Sequence, residues 1–207
     1  NIGNLRSPNR RLRVFTWNIP QPGGLQRYFG FVMVSDGTDV SIFPLTDNRR
    51  SYETPQLETA GHEKWFGALY YQIREVIHQG ETLYTLLGVD MNNLFSTKRI
   101  IEVVRIADDG KPIFGHPVFK IRNHTINRIV FEYSARANMV LRWEDSLGMI
   151  VFDHLSPLRP DQVENFQFYV PDLSFDGFKF EDSYWIYTPD VDIINPDRYR
   201  PSAPARP

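Results

Sequence analysis

The stretch RIVFEY, residues 128–133, decides the fold because its apolar and charged side chains alternate along the chain. In an extended strand Ile129, Phe131 and Tyr133 fall on one side, and the charged side chains fall on the other. This period of two is typical of an antiparallel strand with one buried face. The run MVLRWE at residues 139–144 repeats the pattern, so the two segments predict two strands.

Turn-forming sequences separate the remaining apolar runs at short intervals. The predicted connections are SDGT, HQGE, ADDGK, EDSLG and EDS. Glycine supplies the positive φ that such turns need, and Asp or Asn can hydrogen-bond its own turn backbone. We therefore predict an all-β fold of about ten to twelve strands. The predicted architecture is a single antiparallel meander domain of sandwich or open-barrel type, with a partial β-propeller as the alternative.

The chain divides into a lead-in segment at residues 1–11, one β-rich domain at 12–194 and a proline-rich tail at 195–207. A long loop is expected at 155–171, and a short helix or turn at 54–67. The run RIIEVV also suits a helical stripe, but its β-branched residues favour a strand. The expected core residues are Trp17, Phe131, Leu141, Trp143, Val151 and Trp185.

The composition limits the classes of partner. A net charge of −2 gives no global electrostatic case for binding nucleic acid or an anionic membrane. No apolar run approaches the roughly 20 residues that a transmembrane helix needs. The absence of cysteine excludes disulfides, thiol catalysis and cysteine-ligated metal. The basic residues are concentrated near the start of the chain, where the candidate partner-binding residues are Arg6, Arg10, Arg11 and Arg13.

The segment GVDMNN raises the question of a bound ligand. Asp90, Asn92 and Asn93 offer side-chain oxygens at nearby positions, which would suit a small ligand or a hard cation such as calcium. Calcium needs about six to eight oxygens, and this stretch lacks the EF-hand pattern. Asp and Asn also tolerate turn conformations, so the structural interpretation is a turn before the next strand.

No phosphate-binding glycine loop, Gly-x-Ser-x-Gly elbow or His-Glu-x-x-His zinc helix is present. The five histidines are isolated from one another and are interpreted as turn, loop and strand-end residues. Carboxylates near predicted strand ends could form the pair that glycoside hydrolysis usually requires. These are Asp153, Asp172, Asp176, Asp190 and Asp192, with Trp143, Tyr169, Trp185 and Tyr187 as aromatic neighbours.

Several longer segments carry a resemblance to a protein group. They include LRVFTWNIP, YTLLGVDMNNLFSTKRIIEVV and YVPDLSFDGFKFEDSYWIYTPDVDI. Together they resemble a group of uncharacterised secreted or cell-envelope β-rich proteins of Bacteroidota, over most of residues 12–193. The resemblance implies an exported domain, usually preceded by a signal peptide and an N-terminal extension, and hence an extracytoplasmic location in the periplasm, at the outer membrane or outside the cell. It implies no catalytic residue.

Three functions remain open from the sequence. The first is a non-catalytic envelope module that binds a protein partner or assembles into a larger complex, with no cofactor. The second is a carboxylate-dependent hydrolase acting on a glycan or envelope polymer. The third is a small-ligand or cation-binding module centred on Asp90, Asn92 and Asn93.

Overall fold

The computed structural model describes residues 2–193, and these form sixteen β-strands and no α-helix. The predicted all-β class is therefore confirmed. The strands are β1 Gly3–Arg6, β2 Leu12–Pro20, β3 Gln26–Ser35, β4 Val40–Thr46, β5 Ala60–Gly61, β6 Leu69–His78, β7 Glu81–Asp90, β8 Ser96–Ile106, β9 Pro112–Phe114, β10 Phe119–Ile121, β11 His124–Ile126, β12 Ile129–Ser134, β13 Leu141–Glu144, β14 Met149–Pro157, β15 Tyr169–Glu181 and β16 Tyr184–Thr188. Short 3-10 turns occur at Pro22–Gly24, Arg49–Ser51, His62–Lys64, Pro160–Gln162 and Phe166–Phe168.

The strands form three sheets. Sheet 1 has the order β1-β2-β3-β4, and sheet 2 has the order β5-β9-β8-β7-β6 with β12 also paired to β8. Sheet 3 has the order β11-β10-β16-β15-β14-β13. Neighbouring strands are antiparallel except for β10 and β16, which pair in parallel. Because the sheets contain four, six and six strands, they are not the equivalent blades of a propeller.

Sheet 2 is the central layer because both of its faces are buried. On β7, Tyr84 and Leu86 join a core shared with sheet 1. Leu83 and Leu87 point the other way, into a second core shared with sheet 3. A strand covered on both sides needs apolar residues at successive positions, which explains the unbroken run in this part of the chain.

The predicted hairpins are present, but some boundaries differ. SDGT joins β3 to β4, and HQGE joins β6 to β7. The lead-in prediction for residues 1–11 is wrong in part, because Gly3–Arg6 forms β1 and pairs with β2. The expected loop at 155–171 is shorter, because β14 extends to Pro157 and β15 begins at Tyr169. The predicted proline-rich tail lies outside the described residues.

The expected core residues divide into three groups. Leu141, Val151 and Trp185 are buried, whereas Phe131 and Trp143 are half-buried and pack against the second core. The prediction for Trp17 is wrong, since it lies on the outer face of sheet 1, where its ring stacks with Phe29 at 6.0 Å. Strand alternation explains this, because Val14 and Thr16 take the inward positions of β2.

Candidate functional site

The segment Asp90–Asn93 forms a tight turn between β7 and β8. Asp90 Oδ1 accepts the backbone N–H of Asn92 at 2.8 Å, and Asn92 has a left-handed φ of 42°. Asn93 Oδ1 accepts the backbone N–H groups of Phe95 at 2.7 Å and Ser96 at 3.0 Å. The motif therefore provides the hydrogen bonds of its own turn, as its structural interpretation predicts.

The side chains of the same turn do not form a coordination shell for a hard cation. Asp90 Oδ1 and Asn93 Oδ1 already accept hydrogen bonds from backbone N–H groups. Asn92 Nδ2 donates to Ser96 Oγ at 2.7 Å and to Glu132 Oε1 at 3.3 Å. Across residues 2–193 no group of three or more His, Cys, Asp or Glu side chains is placed to hold a metal ion. The calcium prediction thus has no support from the donor groups at this turn.

Asp90 also anchors sheet 2 to sheet 1. Its side chain is fully buried, and Oδ2 lies 3.6 Å from Arg49 Nε. Burial raises the pKa of Asp90, and the nearby positive charge of Arg49 opposes that rise. The Arg49 guanidinium stacks over the Tyr28 ring at 4.7 Å, while the Tyr28 hydroxyl accepts the backbone N–H of Met91 at 2.8 Å. These contacts hold the turn against the end of sheet 1.

The outer face of sheet 1 carries two of the candidate partner-binding arginines. Arg6 on β1 is in register with Arg13 on β2, and the same row continues through Met33 to Ile42. Both arginines are exposed, and Arg13 Nε donates to Asn4 Oδ1 at 3.0 Å. The pairing of β1 with β2 is what places the two guanidinium groups side by side.

The other two candidate arginines complete a basic cavity at the edge of this face. Arg10 and Arg11 lie in the connection between β1 and β2, and Arg10 has a left-handed φ of 62°. With Arg6 and Arg13 they line one cavity of about 180 Å³. None of the four forms an ion pair with any residue in the described part of the chain. The structure therefore gathers four positive charges whose counter-charges are not supplied by described side chains.

Aromatic rings cover the rest of the outer face. Phe15 and Phe31 stack with centroids 4.6 Å apart, and Trp17 lies beside Phe29 in the adjacent row. Guanidinium groups lie over two of these rings, including that of Arg13 at 4.7 Å from the Phe15 centroid. We call this surface the arginine–aromatic face, and it consists of Arg6, Arg13, Phe15, Trp17, Arg27, Phe29 and Phe31. Sequence reasoning missed its aromatic members because it assigned Trp17 to the core.

The arginine–aromatic face ends at an open strand edge. The carbonyl of Thr46 in β4 points away from β3, because it accepts the N–H of Trp65 at 3.0 Å. Alternate residues of a strand direct their backbone groups the same way, so Val40 and Ile42 also direct theirs outward. Their side chains are 53% and 59% exposed. This part of β4 can accept a further strand from a partner.

A histidine and a carboxylate meet on sheet 3, among the acidic residues that suggested a hydrolase. His154 Nδ1 lies 2.7 Å from Asp176 Oδ2, which also accepts the Tyr187 hydroxyl at 2.7 Å. The hydrogen bond to Asp176 raises the pKa of His154, and burial opposes that rise. The nearby Ser156 hydroxyl donates to Asp172 at 2.9 Å, so it is engaged elsewhere. A base and its orienting carboxylate are present without a hydroxyl nucleophile directed at the base.

Two further residues of the hydrolase hypothesis have structural roles. Asp153 is buried and accepts the backbone N–H of Val140 at 2.7 Å. Trp185 is fully buried, and its Nε1 donates to Thr85 Oγ1 at 3.0 Å, so it cannot stack against a glycan. Two of the histidines that are far apart in the sequence meet in the fold, because the ring of His78 at the end of β6 contacts that of His116 with centroids 5.0 Å apart.

No family model, curated protein or solved structure matches the chain. Within residues 2–193, no helix has the length and apolar character that crossing a bilayer requires.

Proposed function

We propose that this protein is a non-catalytic binding or assembly module of the bacterial cell envelope, and that its arginine–aromatic face receives an acidic segment of a protein partner. One observation carries the proposal: four arginines without ion partners in the described chain line one cavity beside this face. Guanidinium groups bind carboxylates through paired hydrogen bonds and discriminate strongly by charge. An acidic partner supplies the missing counter-charges.

The chemistry of the face favours a polypeptide over a nucleic acid or a glycan. Stacking platforms for bases present open ring surfaces. Here Phe15 and Phe31 already stack on each other, and guanidinium groups lie over Phe15 and Phe29. The rings therefore offer mainly their edges, which suit apolar side chains of a peptide. The open edge of β4 adds backbone groups that an extended peptide can pair with.

The proposed location is extracytoplasmic. It rests on the resemblance of residues 12–193 to exported β-rich proteins of Bacteroidota, and the partner is accordingly an envelope protein. The proposal includes no cofactor and no nucleic acid.

Binding of a synthetic acidic peptide tests the charge requirement. The probe alternates Asp with Val or Tyr, carries a fluorophore, and is titrated with the protein while anisotropy is followed. We expect binding that weakens as salt is raised and falls at least about tenfold in the Arg6→Gln/Arg13→Gln double variant. Arg142→Gln is the matched control, because Arg142 is exposed on sheet 3. Equal binding by the double variant and the control would contradict the proposal.

Purification from a native host tests whether a partner exists. The full-length protein is cross-linked in intact cells, and the co-purified proteins are identified by mass spectrometry. We expect a stoichiometric envelope protein whose cross-links map to sheet 1, and its loss from the Arg6→Gln/Arg13→Gln variant. A partner that cross-links only to sheet 3, or one retained by the variant, would count against the arginine–aromatic face.

A further inference from the structure

Two adjoining cavities lie where sheet 1 meets sheet 2, and Arg27 of the arginine–aromatic face lines the first of them. One has a volume of about 480 Å³ and the other about 420 Å³, and they share Leu25, Arg49 and Arg50. We call them together the junction groove. Its first half is lined by the end of sheet 1, and its second half by the Asn92–Asn93 turn and strands of sheet 2. These volumes are those of sites that hold small organic molecules.

Arg27 and Arg50 are the cations of the junction groove that form no ion pair within residues 2–193, and of these two only Arg50 lines both cavities. Arg49 is held by Asp47 and Asp90, and Lys98 lies 3.5 Å from Glu132. Arg50 makes no ion pair or side-chain hydrogen bond with residues 2–193, although it lines both cavities. The local ion pairs thus neutralise Arg49 and Lys98, and Arg50 is the exposed guanidinium without an ion partner in the described chain that both cavities share.

The second cavity combines an apolar base with free amide groups. Tyr52 and Phe66 line it and are only 8% and 2% exposed, so they form a rigid floor. Gln56 lines the same cavity, and its side-chain amide forms no hydrogen bond within the described chain. Asn93 Oδ1 is used in the turn, which leaves its Nδ2 group free to donate. The Gln56 amide and the Asn93 Nδ2 group therefore offer N–H donors beside an apolar floor.

We infer that the junction groove binds a small organic carboxylate. Arg50 pairs with the carboxylate, Gln56 and Asn93 donate hydrogen bonds to it or to neighbouring oxygens, and the organic body lies against Tyr52 and Phe66. A planar guanidinium is suited to paired hydrogen bonds with a carboxylate. None of these five residues belongs to the arginine–aromatic face, so Arg50→Gln tests this site separately from the Arg6→Gln/Arg13→Gln variant.

Nuclear magnetic resonance with benzoate and benzamide tests the inference. The two probes have the same ring and differ in charge. We expect millimolar benzoate to shift the side-chain amide signals of Gln56 and Asn93, whereas benzamide binds at least about tenfold more weakly. Arg50→Gln should reduce benzoate affinity by about tenfold or more. Arg10→Gln is the matched control, since Arg10 is also exposed but belongs to the other basic cavity.

Any of the following outcomes would overturn the inference. Absence of shifts at millimolar benzoate would exclude this carboxylate site, and equal binding of benzamide would show that charge is irrelevant. Unchanged affinity in Arg50→Gln would remove the central contact, and a matching two-dimensional spectrum would establish that this variant is folded. Inorganic phosphate is the last probe, since displacement of benzoate by an equal phosphate concentration would show a general anion site instead.

Discussion

Replacement of Arg128 by Met tests the most deeply buried ion pair in the described chain. Arg128 Nε lies 2.7 Å from Glu102 Oε2, and both side chains are fully buried. Arg128→Met leaves Glu102 as a buried carboxylate without a counter-charge. We expect the free energy of unfolding to fall by about 3 to 5 kcal/mol, which is the usual cost of breaking a buried pair from one side.

The surroundings of the pair support a value in this range. Glu102 Oε1 makes no hydrogen bond in the described structure, so the buried carboxylate depends on Arg128 for its counter-charge. The Arg128 guanidinium also lies 5.1 Å from the ring centroids of Tyr52 and Phe66. Methionine keeps apolar contact with both rings, so the substitution removes the charge and the hydrogen bond that Arg128 Nη1 donates to the Pro55 carbonyl. The loss is large against a typical total stability of about 5 to 15 kcal/mol.

Urea denaturation followed by tryptophan fluorescence measures the effect. With a slope of about 2.5 kcal/mol per molar urea, the midpoint should fall by about 1.5 M. Adding Glu102→Leu to Arg128→Met removes the unpaired charge and should recover most of the loss. A double variant no more stable than Arg128→Met would contradict the electrostatic explanation.

Arg142→Met is the matched control because Arg142 Nη2 also lies 2.7 Å from a carboxylate, that of Glu144. The Arg142 side chain is 47% exposed, so water already screens the pair. We expect a loss of about 0 to 1 kcal/mol. The two variants therefore compare ion pairs that have the same N···O distance but differ in burial.

The pH dependence gives a second readout of the same pair. Burial raises the pKa of Glu102, the charge of Arg128 opposes that rise, and removing Arg128 should raise this pKa further. A raised carboxyl pKa means that the folded state binds more protons than the unfolded state between the two pKa values. The stability defect of Arg128→Met should therefore shrink as pH falls from about 7 toward about 4.5. A loss below about 1 kcal/mol, or a defect independent of pH, would refute the reasoning.

Two further predictions concern a close backbone approach and the histidine of sheet 3. Gly30→Ala places a Cβ 2.4 Å from the carbonyl oxygen of Phe15 and should cost about 1 to 3 kcal/mol in urea denaturation. Gly61→Ala meets no atom within 4 Å and should be nearly neutral, so equal effects would contradict this explanation. The His154 pKa is raised by Asp176, so its stabilising contribution is complete below about pH 6.5 and disappears as pH rises through the folded-state pKa. Titration of His154 by nuclear magnetic resonance should show a lower pKa in Asp176→Asn, and an unchanged value would contradict the assignment.

Hairpins could be predicted from the sequence because their causes are local. The turn SDGT and its flanking runs contain everything that joins β3 to β4. The arrangement of the three sheets, in contrast, depends on contacts between distant parts of the chain. It depends on sheets 1 and 3 covering opposite faces of β7, and an apolar run by itself fits several kinds of buried segment.

Trp17 shows that the alternation of side chains along a strand is not sufficient to predict which face is buried. In β2, Leu12 and Val14 point one way, while Phe15 and Trp17 point the other, and both sets are apolar or aromatic. Periodicity separates the two faces without saying which one another sheet will cover. Contact with sheet 2 decides in favour of Leu12 and Val14.

The candidate sites show the same limit. Arg6 and Arg13 could be recognised as basic residues, but their alignment depends on β1, which the lead-in interpretation did not include. Arg50 belongs to no motif. Its significance depends on which neighbouring cations already have partners, and that information requires the folded chain.

The central position of sheet 2 has a consequence for the chain during its synthesis. Sheets 1 and 2 are complete once residue 134 has emerged, whereas β16 ends at Thr188. At about 5 to 20 residues per second, the ribosome needs about 3 to 11 seconds to make the intervening segment. Throughout that time the side of sheet 2 that carries Leu83, Leu87 and Ile101 lacks its complete covering layer. Each nascent chain therefore passes through an interval in which it can adhere to its neighbours, and crowded polysomes should lower the yield of folded protein.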